Sequence, residues 1–322
     1  MVSREMSRDR EGGPDADAPA AGASITGVGL VTPLGHSAWS TWRALLDGRA
    51  LHDRAARYGR QTDPFDLARG VGGVAVARHG SADPAIELAE RAAAQAVHEA
   101  GVEPRGLPCV LAASKGAVAD LSRVPRGPLQ CVADALADRM GLVTARQIVA
   151  ACASSLIGLH LACAMLRAGQ HDRVLLISAE AALQPAFVHS YRRLGVLPPL
   201  TPDGYRARPL DQHRRGFVLT EVGAAVMLER APVGRSLGRV VDSAVACEAS
   251  DVIRTPEARP ALRRVAGRLL AAPVDLLHPH ATGTVENDEA ELAVYADALA
   301  GAGHDPGSAD VYACKGALGH GL

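Results

Sequence analysis

The chain is poor in aromatic side chains and carries almost no net charge. Phe, Trp and Tyr make up 3% of its 322 residues, and the formal net charge is −1 at pH 7. Surfaces that bind single-stranded nucleic acids depend on stacked aromatic rings and on an excess of basic residues. The composition therefore argues against a nucleic-acid-binding protein.

Paired cysteines are also absent from the sequence. The six cysteines include no C-x-x-C pair, and their spacing fits neither a zinc site nor the disulfide framework of a small secreted domain. We expect reduced thiols, and we interpret most of them as small buried side chains: Cys109, Cys131, Cys163 and Cys247.

Long hydrophobic segments are missing as well. No run of about 18 apolar residues occurs, so no membrane-spanning helix is predicted. Residues 1–24 are polar and rich in Ala, Gly and Pro, and they lack the apolar centre of a signal peptide. We predict a disordered tail there and a cytoplasmic protein.

Strands and helices alternate along the rest of the chain, which predicts an α/β protein with layered sheets and helices. We expect two sheet-rich parts, 25–230 and 231–322. The segment 185–209, with its Pro and Arg residues, is predicted to be a functional loop. Predicted strands cover 25–31, 71–76, 109–113, 148–151, 174–178, 217–228, 237–246, 274–277 and 310–313, and predicted helices cover 37–46, 84–100, 132–140, 154–168, 255–272 and 288–299.

Cys152 lies in the most informative stretch of the sequence. A predicted strand leads directly to it, and a helix follows at once, with Ser154 and Ser155 as candidate N-caps. The positive end of a helix dipole lowers the pKa of a nearby thiol and favours the thiolate. Cys152 is therefore a candidate acyl-accepting nucleophile, although a small core residue at a tight strand-to-helix junction fits the same pattern.

Two histidines lie on loops that follow predicted strands. His280 precedes a Thr/Gly turn and an acidic helix start, and His320 follows a glycine-bearing segment. His278 shares an H-x-H pattern with His280, but Pro279 separates them and no third ligand is evident, so we predict no metal site.

Taken together, these segments resemble the motifs of the β-ketoacyl synthases of the thiolase superfamily. The segment at 151–155 (A-C-A-S-S) resembles A-C-x-S, that at 280–291 (H-A-T-G-T-V-E-N-D-E-A-E) resembles H-G-T-G-T-x-x-N-D-x-x-E, and that at 315–320 (K-G-A-L-G-H) resembles K-x-x-x-G-H. Further similar stretches lie at 25–35, 174–180 and 208–218, so the resemblance covers residues 25–322.

The resemblance implies a five-layer αβαβα thiolase-like fold of two similar halves, usually dimeric. It implies that Cys152 accepts an acyl chain from an acyl carrier protein and that His280 and His320 stabilise the enolate formed from a malonyl thioester. It further implies a supporting charge pair of Lys315 and Glu291 and a loop-fixing role for Asp288. Substrate contacts are expected from Thr282 and Thr284. No metal or organic cofactor is implied beyond the carrier's phosphopantetheine arm.

The sequence departs from the family pattern at several positions. Ala281 replaces a glycine, and Arg215 stands where the family has Asp. The sequence ends two residues after His320, so the resemblance predicts a second half that lacks the family's C-terminal strands. Two alternatives to an active ketosynthase stay open: an inactive partner subunit of a heterodimeric synthase, similar to a chain-length factor, and another thiolase-fold enzyme such as a thiolase or an acyltransferase.

Overall fold

The fold is described from a computed structural model of the chain. The structure describes residues 22–51, 83–119, 126–199, 207–230, 234–249 and 256–321. The predicted tail lies largely outside the described residues, and the predicted strand over 71–76 lies wholly outside them. Where the tail was expected to end, the first strand already begins at Ala23.

A six-stranded mixed sheet lies at the centre of the larger part of the chain. Its strands are β1 (Ala23–Val31), β2 (Pro108–Ala112), β3 (Val143–Ile148), β4 (Arg173–Glu180), β5 (Val222–Glu229) and β6 (Gly238–Val240). Across the sheet their order is β3-β2-β4-β5-β1-β6. Strands β3, β2 and β4 are mutually parallel, whereas the pairs β4–β5, β5–β1 and β1–β6 are antiparallel. The carboxyl ends of the three parallel strands therefore open at one edge, where loops bring distant residues together.

Among the described residues, five helices accompany this sheet: α1 (Ala38–Leu46), α2 (Pro84–Ala100), α3 (Pro128–Met140), α4 (Ser154–Arg167) and α5 (Pro185–Arg193). The small residues of α2 and the apolar face of α3 pack with one face of the sheet in the main core cluster. Helix α4 packs on the other face in a second cluster. The central sheet thus lies between two helical layers, and α4 begins at the edge where the parallel strands end.

Helix α2 lies unusually close to strand β1, and two glycines permit this. A Cβ atom on Gly29 would lie 1.8 Å from the carbonyl oxygen of Ala92, and one on Gly27 would lie 2.1 Å from that of Ala96. Both distances are far below van der Waals contact, so the main chains can approach only if these strand positions carry no side chain.

The second part of the chain is a smaller layer of strand and helix. It comprises α6 (Pro260–Leu269), β7 (Leu276–Leu277), α7 (Val285–Gly301), β8 (Asp310–Val311) and α8 (Lys315–Leu318). Strands β7 and β8 pair in parallel, and α6 packs against α7 through a small apolar cluster that includes Val294 and Leu299. The chain then returns to the first part, because His320 pairs with Leu219 in a parallel bridge.

The predicted α/β class is confirmed, and α2 has the predicted bounds. The predicted strand over 148–151 is wrong, since β3 ends at Ile148. Strand β3 lies at the sheet edge, and its partly exposed, polar residues gave it a weak apolar signal. The predicted loop over 185–209 contains helix α5, whose Val188 and Tyr191 pack with Phe217.

Other differences concern lengths and burial. Strand β5 begins at Val222 rather than 217, and only Gly238–Val240 of the predicted strand over 237–246 pairs in the sheet. Cys109 and Cys163 are buried as predicted, whereas Cys247 is exposed. Among the described residues, no helix combines the length and the apolar composition that crossing a membrane requires.

Candidate active site

Cys152 lies in a single 3-10 turn, Ala151–Ala153, between the end of β3 and the start of α4. In the described part of the chain, no side chain caps the N-terminus of α4, whose N-cap is Ala153, so the predicted capping by Ser154 or Ser155 is wrong. The Ser154 hydroxyl instead accepts from the Ala150 amide at 2.8 Å and donates towards the carbonyl oxygens of Ala151 and Ala113, at 2.7 and 3.2 Å. Ser154 thus fixes the turn that presents the thiol, in which Ala151 adopts a left-handed φ of 47°.

His280 lies on the loop between β7 and α7, and the main chain of this loop is held by two buried carboxylates. Glu291 accepts the amides of His280 and Ala281 at 2.6 and 2.8 Å. Asp288 accepts the amide of Gly283 at 3.0 and 3.1 Å and also the amide of Leu210, at 2.8 Å. Since both carboxylates come from α7, the helix determines where the loop places the His280 ring.

The Glu291 carboxylate has two further donors, Asn287 Nδ2 at 3.0 Å and the Tyr295 hydroxyl at 2.8 Å. All of these donors are uncharged. Lys315 and Glu291, the predicted charge pair, form no ion pair within 4 Å in the described part of the chain, but the negative charge of Glu291 acts on the Lys315 ammonium. The Lys315 ammonium instead donates to the carbonyl oxygen of His280. Lys315 and Glu291 therefore act on neighbouring groups of the same main-chain segment.

His320 is positioned by strand-like hydrogen bonds and by an aromatic contact. Its amide donates to the Val218 carbonyl oxygen at 2.7 Å, and its carbonyl oxygen accepts from the Thr220 amide at 3.0 Å. The ring meets that of Phe217 edge to face at a centroid distance of 4.9 Å. The residue is buried, with 5% of its surface exposed, so its ring has little freedom.

The structure brings the three predicted catalytic residues together. The sulfur of Cys152 and a ring nitrogen each from His280 and His320 all lie within 4.8 Å of one another. The two imidazoles meet nearly at right angles, with centroids 5.5 Å apart. A thiol and two imidazoles are also donor types that zinc accepts, but the absence of a metal stays a prediction.

Both imidazoles favour their neutral form. Burial lowers the pKa of His320 to about 3, and its neighbours Lys315, His280 and Lys115 disfavour a second positive charge there. His280 keeps access to solvent, but desolvation by the surrounding protein also lowers its pKa, with Lys315 adding to the effect and Glu291 and Asp288 opposing it. At neutral pH each ring therefore carries one N–H donor and one acceptor nitrogen.

The predicted lowering of the Cys152 pKa is wrong. Although the residue retains access to solvent, the surrounding protein disfavours the thiolate and raises the pKa of the thiol. The positive charges of Lys115 and Lys315 oppose this effect, and the negative charge of Glu180 adds to it. Desolvation at a crowded cleft thus outweighs the helix terminus on which the sequence prediction relied.

Lys115 and Glu180 are functional candidates that the sequence analysis missed. Lys115 follows β2, and Glu180 is the last residue of β4. In the parallel part of the sheet, β2 lies next to β3, and β4 lies on the other side of β2. The available signal was positional, because a polar residue directly after a buried parallel strand lies at the ligand-binding edge of such a sheet. Thr282 and Thr284 lie on the His280 loop with their hydroxyls 2.9 Å apart, and their substrate contacts stay a prediction.

Comparison with protein families identifies the class that this fold and site define. The sequence matches the β-ketoacyl synthase N-terminal domain over residues 132–233 and the β-ketoacyl synthase C-terminal domain over residues 237–322. Together these matches cover more than half of the chain, and the architecture is that of the thiolase-like condensing enzymes. Within that class, the chain belongs to the β-ketoacyl synthase family.

Individual relatives agree with this assignment. The chain is 24% identical over 319 residues to 3-oxoacyl-[acyl-carrier-protein] synthase 2 of Synechocystis, covering 85% of this chain and 76% of the relative. Three mycobacterial relatives are 33–34% identical over 153 residues, and the matched part of the chain spans only 4–7% of their length.

Solved structures share the fold. The ketosynthase of module 6 of the bacillaene synthase from Bacillus subtilis superposes with a TM-score of 0.76 at 18% identity, covering 93% of this chain and 58% of that one. A type II polyketide synthase ketosynthase, solved in complex with its acyl-carrier protein and bound to a hexaketide, gives a TM-score of 0.73 at 20% identity, covering 95% and 83%. The predicted thiolase-like fold is therefore confirmed.

Proposed function

We propose that the chain is a β-ketoacyl-[acyl carrier protein] synthase of fatty acid or polyketide biosynthesis. The observation that carries this proposal is the convergence of Cys152, His280 and His320, whose reactive atoms lie within 4.8 Å of one another. One of these residues follows β3, and the other two lie on separate loops more than a hundred residues further along the chain. A nucleophile beside two neutral hydrogen-bond donors suits a reaction that forms a thioester and then an enolate.

In the proposed first half-reaction, Cys152 Sγ attacks the carbonyl carbon of an acyl thioester held on the phosphopantetheine arm of an acyl carrier protein. A new C–S bond to Cys152 forms, the C–S bond to the carrier breaks, and the carrier leaves as a free thiol. The solvent access of Cys152 and its place at the start of α4 support this role, since free helical N–H groups there can stabilise the developing oxyanion.

In the proposed second half-reaction, a malonyl thioester loses CO₂. The C–C bond to its carboxylate breaks, and His280 and His320 donate N–H hydrogen bonds to the thioester oxygen on which negative charge accumulates. The resulting carbon nucleophile attacks the Cys152 thioester, a C–C bond forms, and the bond to Cys152 breaks, which releases a 3-oxoacyl chain on the carrier. Neutral rings, as the lowered pKa values of both histidines favour, supply these donors.

Supporting roles follow from the hydrogen bonds of the loop. We assign to Glu291 and Asp288 the positioning of the His280 main chain, and to Lys315 the orientation of the His280 carbonyl. Thr282 and Thr284 are assigned to contacts with the substrate arm. The proposed chemistry uses no metal and no organic cofactor beyond the carrier's phosphopantetheine.

An acyl carrier protein is the proposed partner. One solved relative is a ketosynthase in complex with its acyl-carrier protein, and the Synechocystis relative is named as a 3-oxoacyl-[acyl-carrier-protein] synthase.

We also propose a homodimer or a heterodimer with a second ketosynthase-like subunit. Strand β3 supports this, because it lies at the edge of the sheet and leaves Val143 55% exposed. Sedimentation of Val143→Lys should show a weakened dimer, whereas Val311→Lys, on a different sheet, should leave it intact.

Acyl transfer provides the test of the proposed activity. We would incubate the protein with a radiolabelled acyl thioester of an acyl carrier protein and compare the native chain with Cys152→Ala and Cys247→Ala. Label is expected on the native chain and on Cys247→Ala, and none on Cys152→Ala. With malonyl carrier protein added, His280→Ala and His320→Ala should keep the label but form product about 10²–10³-fold more slowly.

A folded native chain that takes no label would contradict the proposal. That result would favour the inactive partner subunit, and co-expression with an active ketosynthase would then show whether the two form a heterodimer. Label that transfers to coenzyme A or to water without condensation would instead indicate another thiolase-fold acyltransferase.

A further inference from the structure

Three neighbouring parallel strands carry a charged or nucleophilic residue at or just beyond their carboxyl ends. Cys152 follows β3, Lys115 follows β2, and Glu180 is the last residue of β4. Since the strand order is β3-β2-β4, the segment with Lys115 lies between the other two at the same edge of the sheet. The predicted Cys-His-His chemistry uses only the first of these residues, so the role of the other two is open.

The Lys115 loop and the Cys152 turn are fastened to each other. The Ala113 amide donates to the Ile148 carbonyl oxygen at 3.1 Å, which extends the β2–β3 pairing beyond the strands. The Ser154 hydroxyl donates towards the Ala113 carbonyl oxygen from the other side of the turn. The main-chain segments that carry Lys115 and Cys152 are therefore hydrogen-bonded to each other.

Glu180 binds the main chain of the Lys115 loop and not the ammonium group of Lys115. One carboxylate oxygen accepts the amides of Ser114 and Lys115, at 2.9 and 3.0 Å. Glu180 is 3% exposed, and its other oxygen has no hydrogen-bond partner among the described residues. The carboxylate thus holds the loop in place while the Lys115 side chain extends elsewhere.

The Lys115 ammonium has polar and aromatic neighbours but no acidic one within ion-pair distance in the described ranges. It donates to Ser114 Oγ at 3.0 Å and to the Tyr191 hydroxyl at 3.3 Å. It also lies 5.4 Å from the ring centroids of Phe187 and Tyr191, where a cation is attracted to the ring faces. The carboxylate of Glu180 interacts with this charge from beyond ion-pair distance. No carboxylate is hydrogen-bonded to the ammonium in the described ranges, so room remains for an anion that forms during the reaction.

We propose that Lys115 is the counter-ion of the Cys152 thiolate, a positioning residue that acts through the nucleophile and that Tyr191 holds in place. The inference rests on the proposed function only in taking the thiolate as the reacting form. Of the charges that act on Cys152, Lys115 gives the largest opposition to desolvation, ahead of Lys315, while Glu180 acts against both. The neighbouring His280 and His320 favour their neutral form. A backbone hydrogen bond at Cys152 also lowers the pKa of the thiol, by less than Lys115 does.

Alkylation by iodoacetamide tests the proposal without any carrier protein. The thiolate displaces iodide, so a C–S bond forms and the C–I bond breaks, and the rate follows the thiolate fraction. We would measure the rate at Cys152 from pH 6 to 10 by peptide mass spectrometry. Exposed Cys247 serves as the internal reference, and the variants are Lys115→Met, Lys115→Arg and Tyr191→Phe.

We expect Lys115→Met to slow Cys152 alkylation at pH 7.5 by about tenfold and to move its midpoint to higher pH, because an opposite charge is lost. Lys115→Arg should restore most of the rate, and Tyr191→Phe should have a smaller effect in the same direction. Cys247 should not change. A residue that merely packs against α5 would alter thermal stability without moving the Cys152 midpoint.

An unchanged Cys152 midpoint in folded Lys115→Met would overturn the proposal, and so would an equal change at Cys247. Should Lys115→Met fail to fold, Tyr191→Phe decides, since a raised Cys152 midpoint supports the proposal and an unchanged one contradicts it. The result is separate from the acyl-transfer assay. A shifted midpoint in a chain that takes no acyl label would reject the proposed enzyme and keep the thiolate counter-ion.

Discussion

Glu291 holds His280 by its main chain and not by its ring. One carboxylate oxygen accepts the His280 amide at 2.6 Å, and the other accepts the next amide, that of Ala281, at 2.8 Å. Because Glu291 is 3% exposed, water cannot replace it as the acceptor. The loop therefore depends on a single side chain for two consecutive N–H groups, of which that of Ala281 is buried and that of His280 part-buried.

Glu291→Gln should disrupt this arrangement. A Gln side chain has only one acceptor oxygen, so its NH₂ group would face one of the two backbone N–H groups, and that N–H group would have no acceptor. We expect a loss of about 2–3 kcal/mol in the free energy of unfolding, measured by urea denaturation. Tyr295→Phe is the matched control, since it removes one hydrogen bond to the same carboxylate and leaves both amides bound. A loss of about 1 kcal/mol is expected there. Equal losses in the two variants would contradict a special role for the paired amides.

The buried imidazole of His320 should make stability depend on pH. Its pKa is about 3 in the folded state against an ordinary value of 6.5, so between these values the unfolded chain binds more protons. The stabilising contribution is complete above pH 6.5 and is lost as the pH falls towards 3. When the pH is lowered from 7 to 4.5, the free energy of unfolding of the native chain should fall by roughly 3 kcal/mol relative to that of His320→Asn. Parallel pH profiles of the two proteins would refute the expectation.

Glu180 should act with the opposite sign. Burial raises the pKa of its carboxyl group to about 7 from an ordinary value of 4.5, so the folded state binds the additional proton between these values. Its contribution is complete below pH 4.5 and is lost as the pH rises through 7. When the pH is raised from 4.5 to 8, the free energy of unfolding of Glu180→Gln should therefore increase by roughly 3 kcal/mol relative to that of the native chain, as measured by chemical denaturation. A difference that stays constant over this range would show that Glu180 ionises normally.

Replacement by glycine should be more favourable at Ala151 than at Ala153. It adopts a φ of 47°, which is strained for any residue with a Cβ atom, and its side chain is exposed. Ala151→Gly should raise the free energy of unfolding by about 0.5–1 kcal/mol, because relief of strain exceeds the entropy lost by glycine. Ala153 is also exposed but has a φ of −90°, so Ala153→Gly should lower stability. The same sign in both variants would argue against strain at the nucleophile turn.

Gly29 should not accept even a methyl group. The added Cβ would lie 1.8 Å from the main chain of α2, so helix and sheet would have to separate. We expect Gly29→Ala to reduce the free energy of unfolding by about 1–3 kcal/mol or more. Gly238→Ala is the control in the same sheet, since a Cβ there meets no described atom within 4 Å. If both variants unfold at the native denaturant concentration, the close contact between α2 and β1 is not as described.

Local sequence signals predicted some of the fold well and other parts poorly. Helix α2 was predicted with its bounds because it has a long helical periodicity and Pro84 at its start, both of which are local signals. The structure adds Asp83 as the N-cap and Gly101, in a left-handed conformation, at the end. Strand β3 was misplaced because an edge strand buries only part of its surface and has a weak apolar pattern. Helix α5 was missed because it is short and is stabilised by packing with Phe217, a contact that sequence distance conceals.

The site shows the same division. Family motifs identified Cys152, His280 and His320, and the structure brings them together. The direction of the Cys152 pKa could not be derived, because desolvation depends on every atom that folds around the sulfur. Lys115 and Glu180 were missed because their positions after buried strands gave a weak signal, and the strand order was needed to show that β2 and β4 end beside the nucleophile.

Three carboxylates at this site, those of Glu180, Asp288 and Glu291, bind peptide N–H groups. Every residue except proline offers such a group, whatever its side chain. The reactive side chains can therefore be exchanged by mutation while the scaffold that presents them keeps its shape. A duplicated copy of such a protein can therefore lose its cysteine, or gain a different reactive side chain, while it keeps the same fold.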